Sequence, residues 1–373
     1  MRWPGERRVF GAFITALVHS TFLVLPARAQ QAAPLTLQAA LELADKQNLD
    51  LIAARRQREV ATAGIQIAKQ RPNPTVNFAT ARDAPHQSLF FDQPIEIGGK
   101  RARRMQVAKQ EGALTDAQIA ALGRQIRRMT REAYFNLAFA QADTERLGRV
   151  VNLAERLKDI AQERFNAGAV PELEVIQADL GLARANADYQ VAGQREKVAS
   201  SQLDALLNVS STTAWQLSSP LEQAPPNVSL QDVLAKAYDA NPALQQLAQE
   251  AKIEESRRRL LKSERIPDLN LEFGADFNAP RDYNIGPRGQ ISLMLPLFSR
   301  NQGEIAQSLA AQRVLDGQTE ATRRSVAGEV ESGYLDVESR QTQVGLYRDK
   351  LLPATRRLET MAEESYRAGK SGI

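Results

Sequence analysis

The chain has 373 residues, with 48 Lys+Arg against 44 Asp+Glu, two histidines and no cysteine. The missing cysteines exclude disulfides, an N-terminal lipidated cysteine and thiolate metal sites, and two histidines are too few for a zinc-type cluster. A net charge of +4 gives little reason to expect nucleic acid as a partner.

Residues 1–29 read as a secretory signal peptide. Arg2, Arg7 and Arg8 supply the positive start, Val9 to Leu25 is mostly apolar, and Ala27-Arg28-Ala29 fits the small-x-small cleavage pattern. Cleavage would leave Gln30 as the first residue. It removes Arg2, Arg7, Arg8 and Arg28 together with Glu6, so the net charge falls from +4 to +1. His86 is then the one remaining histidine, placed in a loop. No Ser–His or Cys–His dyad has a helical or strand-end context, and no carboxylate pair stands out. Catalytic residues: none; cofactors: none; metal ligands: none. The expectation is a protein that is not an enzyme.

From Leu35 the chain follows one plan twice. LTLQAALELADKQNLDL (Leu35–Leu51) aligns without gaps on VSLQDVLAKAYDANPAL (Val228–Leu244). The identities Leu37/Leu230, Gln38/Gln231, Leu41/Leu234, Ala44/Ala237, Asn48/Asn241 and Leu51/Leu244 fall on one helical face. Thr36 and Ser229 stand where an N-cap is needed. In the same register Pro74 matches Pro267 and Asn77 matches Asn270. Each proline stops the helix, because it lacks an N–H and disfavours helix in the residue before it.

Alternation follows each proline: Val76, Phe78 and Thr80 in one copy, Leu269 through Phe277 in the other. This predicts strands with one apolar and one wet face. Loops (RDAPHQ; FNAPRDYNIGPRG) lead to return strands at about 88–97 and 289–298. Ile291, Leu293, Leu295 and Leu297 alternate cleanly in the second return strand, and Pro94 and Pro296 hold equivalent places near the strand ends.

The DQPIEIGGKRARR junction then opens a proline-free helix from Arg101 to about Asn166, extending about 100 Å at 1.5 Å per residue. Leu122, Ile126, Met129, Ala133, Leu137 and Ala140 form an apolar seam, which Leu147, Val151, Ala154 and Leu157 continue. FNAGAVPE ends the helix, with Gly168 suited to a left-handed cap and Pro171 to the start of a returning helix. MLPLFSRNQG makes the same strand-to-helix passage in the second copy, and YRAGKSG matches the tip, with Gly369 on Gly168. Pro353 is expected to kink the second long helix. Residues 30–227 thus form the first structural repeat, and 228–373 a second one that is C-terminally truncated, its returning helix missing after Gly369.

Two strands per copy give four per chain, too few to close a membrane barrel. An open sheet leaves backbone groups unpaired in lipid, so several chains must share one barrel. The strand–helix junction at Gly98, Gly99, Lys100 and Arg101 would bend the chain from membrane to water. Lys100, Arg101, Arg103 and Arg104 oppose the dipole of the helix they begin. They read as a solvated charge run, or as anchors for inner-leaflet phosphates.

The repeat, the QPIEIGGKR junction, the LPLF strand end and the FNAGAVPELEVIQA hairpin resemble the TolC-like outer membrane factor family. The GGKR form is most similar to its cobalt-zinc-cadmium (heavy-metal) efflux branch. The resemblance covers nearly all of 35–373. It implies a mainly α fold with a membrane β part: long antiparallel helical hairpins forming an α-helical barrel. Four strands per chain would contribute to a trimeric 12-stranded transmembrane β-barrel in the outer membrane. It also implies a homotrimer acting as a passive duct, energised by an inner-membrane pump (often proton-driven) through a periplasmic adaptor protein. The adaptor would meet the hairpin tips at Ala167, Gly168, Ala169, Val170, Ala368 and Gly369. The gate is expected on the missing helix, so no gate residue is assigned. The competing readings are a periplasmic coiled-coil adaptor or scaffold, and the same family exporting drugs or proteins.

Overall fold

The computed structural model describes residues 34–210, 215–219, 228–279, 281–368 and 370. The signal segment and Gly369 lie outside the described residues.

The first repeat opens with α1 (Leu37–Gln47) and α2 (Leu49–Lys69). The Thr36 hydroxyl caps α1 by accepting the Ala39 N–H at 3.0 Å. Sequence pattern alone reads one continuous helical face through Leu51, but the structure breaks the helix at Asn48. That residue is extended (φ −61°, ψ 123°), and its side-chain oxygen accepts the Leu51 N–H at 3.1 Å, ending α1 and capping α2. The second repeat does the same. Ser229 caps α5 (Leu230–Ala240), and Asn241 caps α6 (Pro242–Glu264), with Pro242 in the first helical turn. Asparagine competes for backbone bonds that an apolar residue would leave to the helix, so the matched asparagines mark breaks.

Strands β1 (Thr75–Thr80) and β2 (Gln87–Ile95) form one hairpin, and β3 (Leu269–Ala279) and β4 (Tyr283–Leu293) form the other. The sheet is antiparallel throughout, in the order β1-β2-β3-β4, so β2 and β3 join the two repeats while β1 and β4 are edges. The second return strand differs from its expected span. It starts at Tyr283, and Pro287 is accommodated because β4 is an edge strand. It stops at Leu293, opposite the first residue of β3, so Pro296 lies beyond the strand.

Helix α3 (Lys100–Asn166) has 67 residues and packs antiparallel to α4 (Glu172–Leu207). The α4 contact stripe is Ala178, Ala185, Ala192 and Ala199, a strict seven-residue spacing that suits a close coiled-coil seam. On α3 the buried set includes Ile119, Ile126, Ala133 and Leu137. Met129, expected in the seam, is instead 39% exposed, while Thr130 and Tyr134 turn inward. Leu35, Ala40, Ala44, Leu51, Leu203 and Leu207 complete the core where α1, α3 and α4 meet. Tyr134 anchors it by donating its hydroxyl to the Leu35 carbonyl at 2.8 Å and accepting the Ser219 N–H at 3.1 Å.

The second long helix is α7 (Gln302–Leu346), followed by a π-helical turn at Tyr347–Leu351 and by α8 (Leu352–Arg367). The expected irregularity at Pro353 takes this form. The proline cannot donate to the preceding turn, and the widened turn absorbs the missing bond. Among the described residues of α7 only Ser308 and Val326 are buried.

Candidate functional site

Three places on this frame have chemistry beyond packing: the two faces of the sheet, the strand–helix junctions and the hairpin tips. On one face of the sheet lie Val76, Phe78, Leu89, Phe91, Ile95, Leu269, Leu271, Phe273, Ile285, Ile291 and Leu293. Their register is Val76 opposite Phe91, Phe91 opposite Phe273 and Leu271 opposite Ile291. Most of this face is open: Val76, Phe78, Ile285 and Ile291 are each more than 60% exposed. The opposite face is polar and internally bonded. Asp92 accepts from Asn77 and Asn270, Asp276 accepts from Ser88 at 2.7 Å, and Arg288 lies 3.7 Å from Asp276 and above the Phe90 ring. Water disfavours such a continuous apolar face, whereas lipid outside and an aqueous lumen inside require this alternation.

At the first junction Gly98 and Gly99 both take φ +73°. At Gly98 space is lacking as well, since a Cβ there would lie 2.8 Å from Ile266 Cδ1 and 3.0 Å from Ile266 Cβ. The cationic run that follows is largely engaged within the chain. Lys100 is buried and pairs with Asp268 at 2.8 Å; Asp268 also accepts the Ile97 N–H. Arg101 donates to the Lys69 carbonyl at 2.8 Å. Arg104 binds both oxygens of Glu96 and the carbonyls of Ala68 and Gln70. Its guanidinium is held above its ordinary pKa, chiefly by the hydrogen bond to Glu96 and against partial desolvation.

The puzzle of cations at a helix N-terminus is thereby answered. Arg101 and Arg104 satisfy the orphan carbonyls at the C-terminus of α2, where positive charge is favourable. With Lys100 on Asp268, three of the four cations are occupied within the chain, which removes most of the basis for phosphate anchoring; of the four, Arg103 is exposed. The second junction has no glycine pair. Asn301 takes φ +53° immediately before α7 and donates to the Leu261 carbonyl and to Glu264 at the end of α6. Asparagine is among the few residues that tolerate this conformation.

At the first hairpin tip Gly168 has φ +70°. The Gly168 N–H donates to the Phe165 carbonyl and the Ala169 N–H to the Arg164 carbonyl, the paired bonds of a Schellman cap. Ala167, Gly168 and Ala169 are exposed, Val170 is half-buried, and nothing would contact a Cβ at Gly168. Ala368 is exposed at the end of α8, where the Lys370 N–H repeats the capping bond to the Ser365 carbonyl. The fold brings the two tips together through residues that the sequence did not single out as a cluster. Arg164 pairs with Glu174 at 3.0 Å and lies 5.0 Å from the centre of the buried Tyr366 ring, and Arg156 approaches Glu363 at 3.8 Å. The Tyr366 hydroxyl is held above its ordinary pKa, first by burial and then by the nearby Glu174 carboxylate.

Among the described residues no group of His, Cys, Asp and Glu could hold a metal ion, and no helix is long and apolar enough to cross a membrane. The sequence profile of the family described as outer membrane efflux protein matches residues 40–209 and 233–373. The chain belongs to the outer membrane efflux protein family. The place of this efflux protein is therefore the outer membrane. The cobalt-zinc-cadmium resistance protein CzcC of Cupriavidus metallidurans is 28% identical over 357 residues, covering 91% of this chain and 82% of that protein. Among solved structures, VceC of Vibrio cholerae superposes with a TM-score of 0.69 at 16% identity, over 89% of this chain and 86% of that one. The outer membrane channel CmeC of Campylobacter jejuni gives 0.66 at 17% identity, over 90% and 78%. The fold of this efflux protein, long helical hairpins beneath a four-stranded sheet, is thus that of outer membrane channels.

Proposed function

We propose that three copies of this outer membrane efflux protein close a 12-stranded β-barrel above a helical barrel. In this reading the assembly passes heavy-metal cations outward, delivered by an inner-membrane pump through a periplasmic adaptor. One observation carries the assembly: the sheet has an apolar outer face, a hydrogen-bonded polar inner face and two unpaired edges. Lipid tolerates those edges only when sister chains pair with them. The helices support the same arrangement. Leu173, Ile176, Leu180 and Val198 on α4 and Leu309, Val314, Leu335 and Val344 on α7 are exposed along faces that neighbouring copies would cover.

Heavy-metal cargo rests on the likeness to CzcC, whose name records cobalt, zinc and cadmium resistance. A duct can pass a cation without binding it tightly, so the cargo would need no resident metal site. Deleting the gene and comparing growth on zinc, cobalt and cadmium with growth on several antibiotics tests this. Sensitivity to antibiotics alone would replace metal by drug export.

The tips, Ala167, Gly168, Ala169, Val170 and Ala368 with Gly369, are the proposed adaptor contact; the open space around Gly168 supports it. Gly168→Asn keeps a residue that tolerates the left-handed cap, whereas Gly168→Trp fills the open space. The tryptophan variant is expected to lose adaptor crosslinking while trimers persist, and the asparagine variant to keep both. Undiminished crosslinking with tryptophan would reduce Gly168 to a helix terminator.

A further inference from the structure

Among the described residues, the segment following β4 is a run of strongly exposed apolar side chains. Met294, Leu295, Leu297 and Phe298 are 85%, 60%, 61% and 93% exposed, and no strand includes them. Yet the period-two alternation of Ile291, Leu293, Leu295 and Leu297 continues past the point where the strand stops. The segment's backbone bonds among the described residues are local only: the Leu297 N–H donates to the Leu295 carbonyl, and the Pro296 and Phe298 carbonyls accept from Arg300 and Gln302. A segment patterned as strand but left without a partner strand calls for one outside its own chain.

The internal repeat specifies that partner. Pro74 matches Pro267, so Val76 stands to β1 as Leu269 does to β3. Val76 pairs with Phe91, and Leu269 with Leu293, so Phe91 corresponds to Leu293, Pro94 to Pro296 and Ile95 to Leu297. The same correspondence places Gly99 on Asn301, and these are the left-handed residues that open α3 and α7. Between β2 and β3 the chain pairs Phe91 with Phe273, Gln93 with Leu271, Pro94 with Asn270 and Ile95 with Leu269.

Transferred to the open edges, that register sets Leu293 opposite Thr80 of the next copy and Leu295 opposite Phe78. It likewise sets Pro296 opposite Asn77 and Leu297 opposite Val76. Three features of the chain agree with it. The proline–asparagine pair of the internal seam is reproduced across the outer one. The leucines share the apolar face with Val76 and Phe78. Every residue of β1 is exposed and so is free to receive a strand.

We infer that Met294–Phe298 is a strand extension that forms only on assembly, pairing with β1 of a neighbouring copy in the register Leu297–Val76 and Leu295–Phe78. This rests on the trimer proposed above and adds which residues close the seam. It gives the irregular end of β4 a purpose: part of the barrel wall is folded by the neighbour.

The absence of cysteine makes the test direct. Four double variants are compared in oxidised outer-membrane fractions. Two are in register, Leu297→Cys with Val76→Cys and Leu295→Cys with Phe78→Cys. Two are displaced by two residues, Leu295→Cys with Val76→Cys and Leu297→Cys with Phe78→Cys. Directly opposed residues have Cα atoms about 4.5–5.5 Å apart and diagonal ones about 7–8 Å, while disulfides need less than about 7 Å. Residues on β1 and β4 of one chain lie three strand spacings apart, so any link is between copies. The expected result is a covalent ladder ending at the trimer for the in-register pairs and monomer for the displaced pairs. Trimers by native mass measurement that link only through displaced pairs, or not at all, would overturn the inference while sparing the trimer. In the unlinked case the segment lies against lipid or another protein. Monomers alone in the membrane would overturn both.

Discussion

Replacing Gly98 by alanine tests the junction where the sheet becomes a helix. Two separate costs are expected. A side chain at φ +73° is strained by about 1–2 kcal/mol. The new methyl would also sit 2.8 Å from Ile266 Cδ1 and 3.0 Å from Ile266 Cβ. The first atom is the mobile end of a side chain, but the second is fixed to the backbone, so overpacking adds about 1–3 kcal/mol. Gly99 is the internal control. It has the same φ and nothing within 4 Å, so Gly99→Ala bears the strain alone.

The assay is thermal loss of the far-ultraviolet helical signal in detergent. Midpoints are compared at one scan rate, because unfolding of such an assembly need not be reversible. Gly98→Ala should melt well below Gly99→Ala. Ile266→Ala added to Gly98→Ala removes the 2.8 Å contact with Cδ1 but keeps the 3.0 Å contact with Cβ, so it should recover only part of the gap, although alone it weakens the wild-type packing. Equal midpoints for the two glycine variants, or no recovery on shortening Ile266, would refute the reasoning that contact as well as backbone conformation fixes Gly98.

Two further outcomes are expected. Arg104→Ala leaves the mostly buried Glu96 unpaired and the α2 carbonyls uncapped, and should cost about 1–3 kcal/mol in denaturant unfolding, less than a fully buried pair because water reaches the Arg104 side. Arg104→Lys should recover little, since one ammonium cannot reproduce the forked contacts; full recovery by lysine would argue for charge alone. The raised pKa of Tyr366 means that its neutral form is favoured in the folded chain. Its contribution is fully present below the ordinary tyrosine pKa and is lost as pH rises toward and through the folded value. Tyr366→Phe should therefore lose less stability than wild type over that alkaline window, and parallel pH profiles would contradict it.

The sequence made much of this legible because its signals were local and doubled. Thr36 and Ser229 capped the helices where expected, and Gly168 and Pro171 turned the hairpin. The alternation from Val76 to Thr80 and from Leu269 to Phe277 fell on strands. It misled where one residue type serves two ends. Asn48 and Asn241 looked like part of a helical face but ended one helix and began another, because their side chains bond the backbone in competition with the helix. Asn301 gave no glycine-like signal, though it performs the turn that Gly99 performs in the first copy. The heptad of alanines on α4 was readable but too plain to stand out until α3 lay against it.

Taken alone, the amino-acid order determined the repeat, the element types, the tips and the two-faced strands, since each depends on neighbours a few residues away. Only the tertiary structure decided the rest. It showed that Lys100, Arg101 and Arg104 face inward to Asp268, Glu96 and the end of α2 rather than outward, and that Arg164 meets Tyr366. It also showed that β2 and β3 join the two repeats, with the register of that seam. These pairings bring together residues from 32 to more than 200 positions apart, or select among several available carboxylates and carbonyls. No local pattern encodes a distance set by the packing of whole elements.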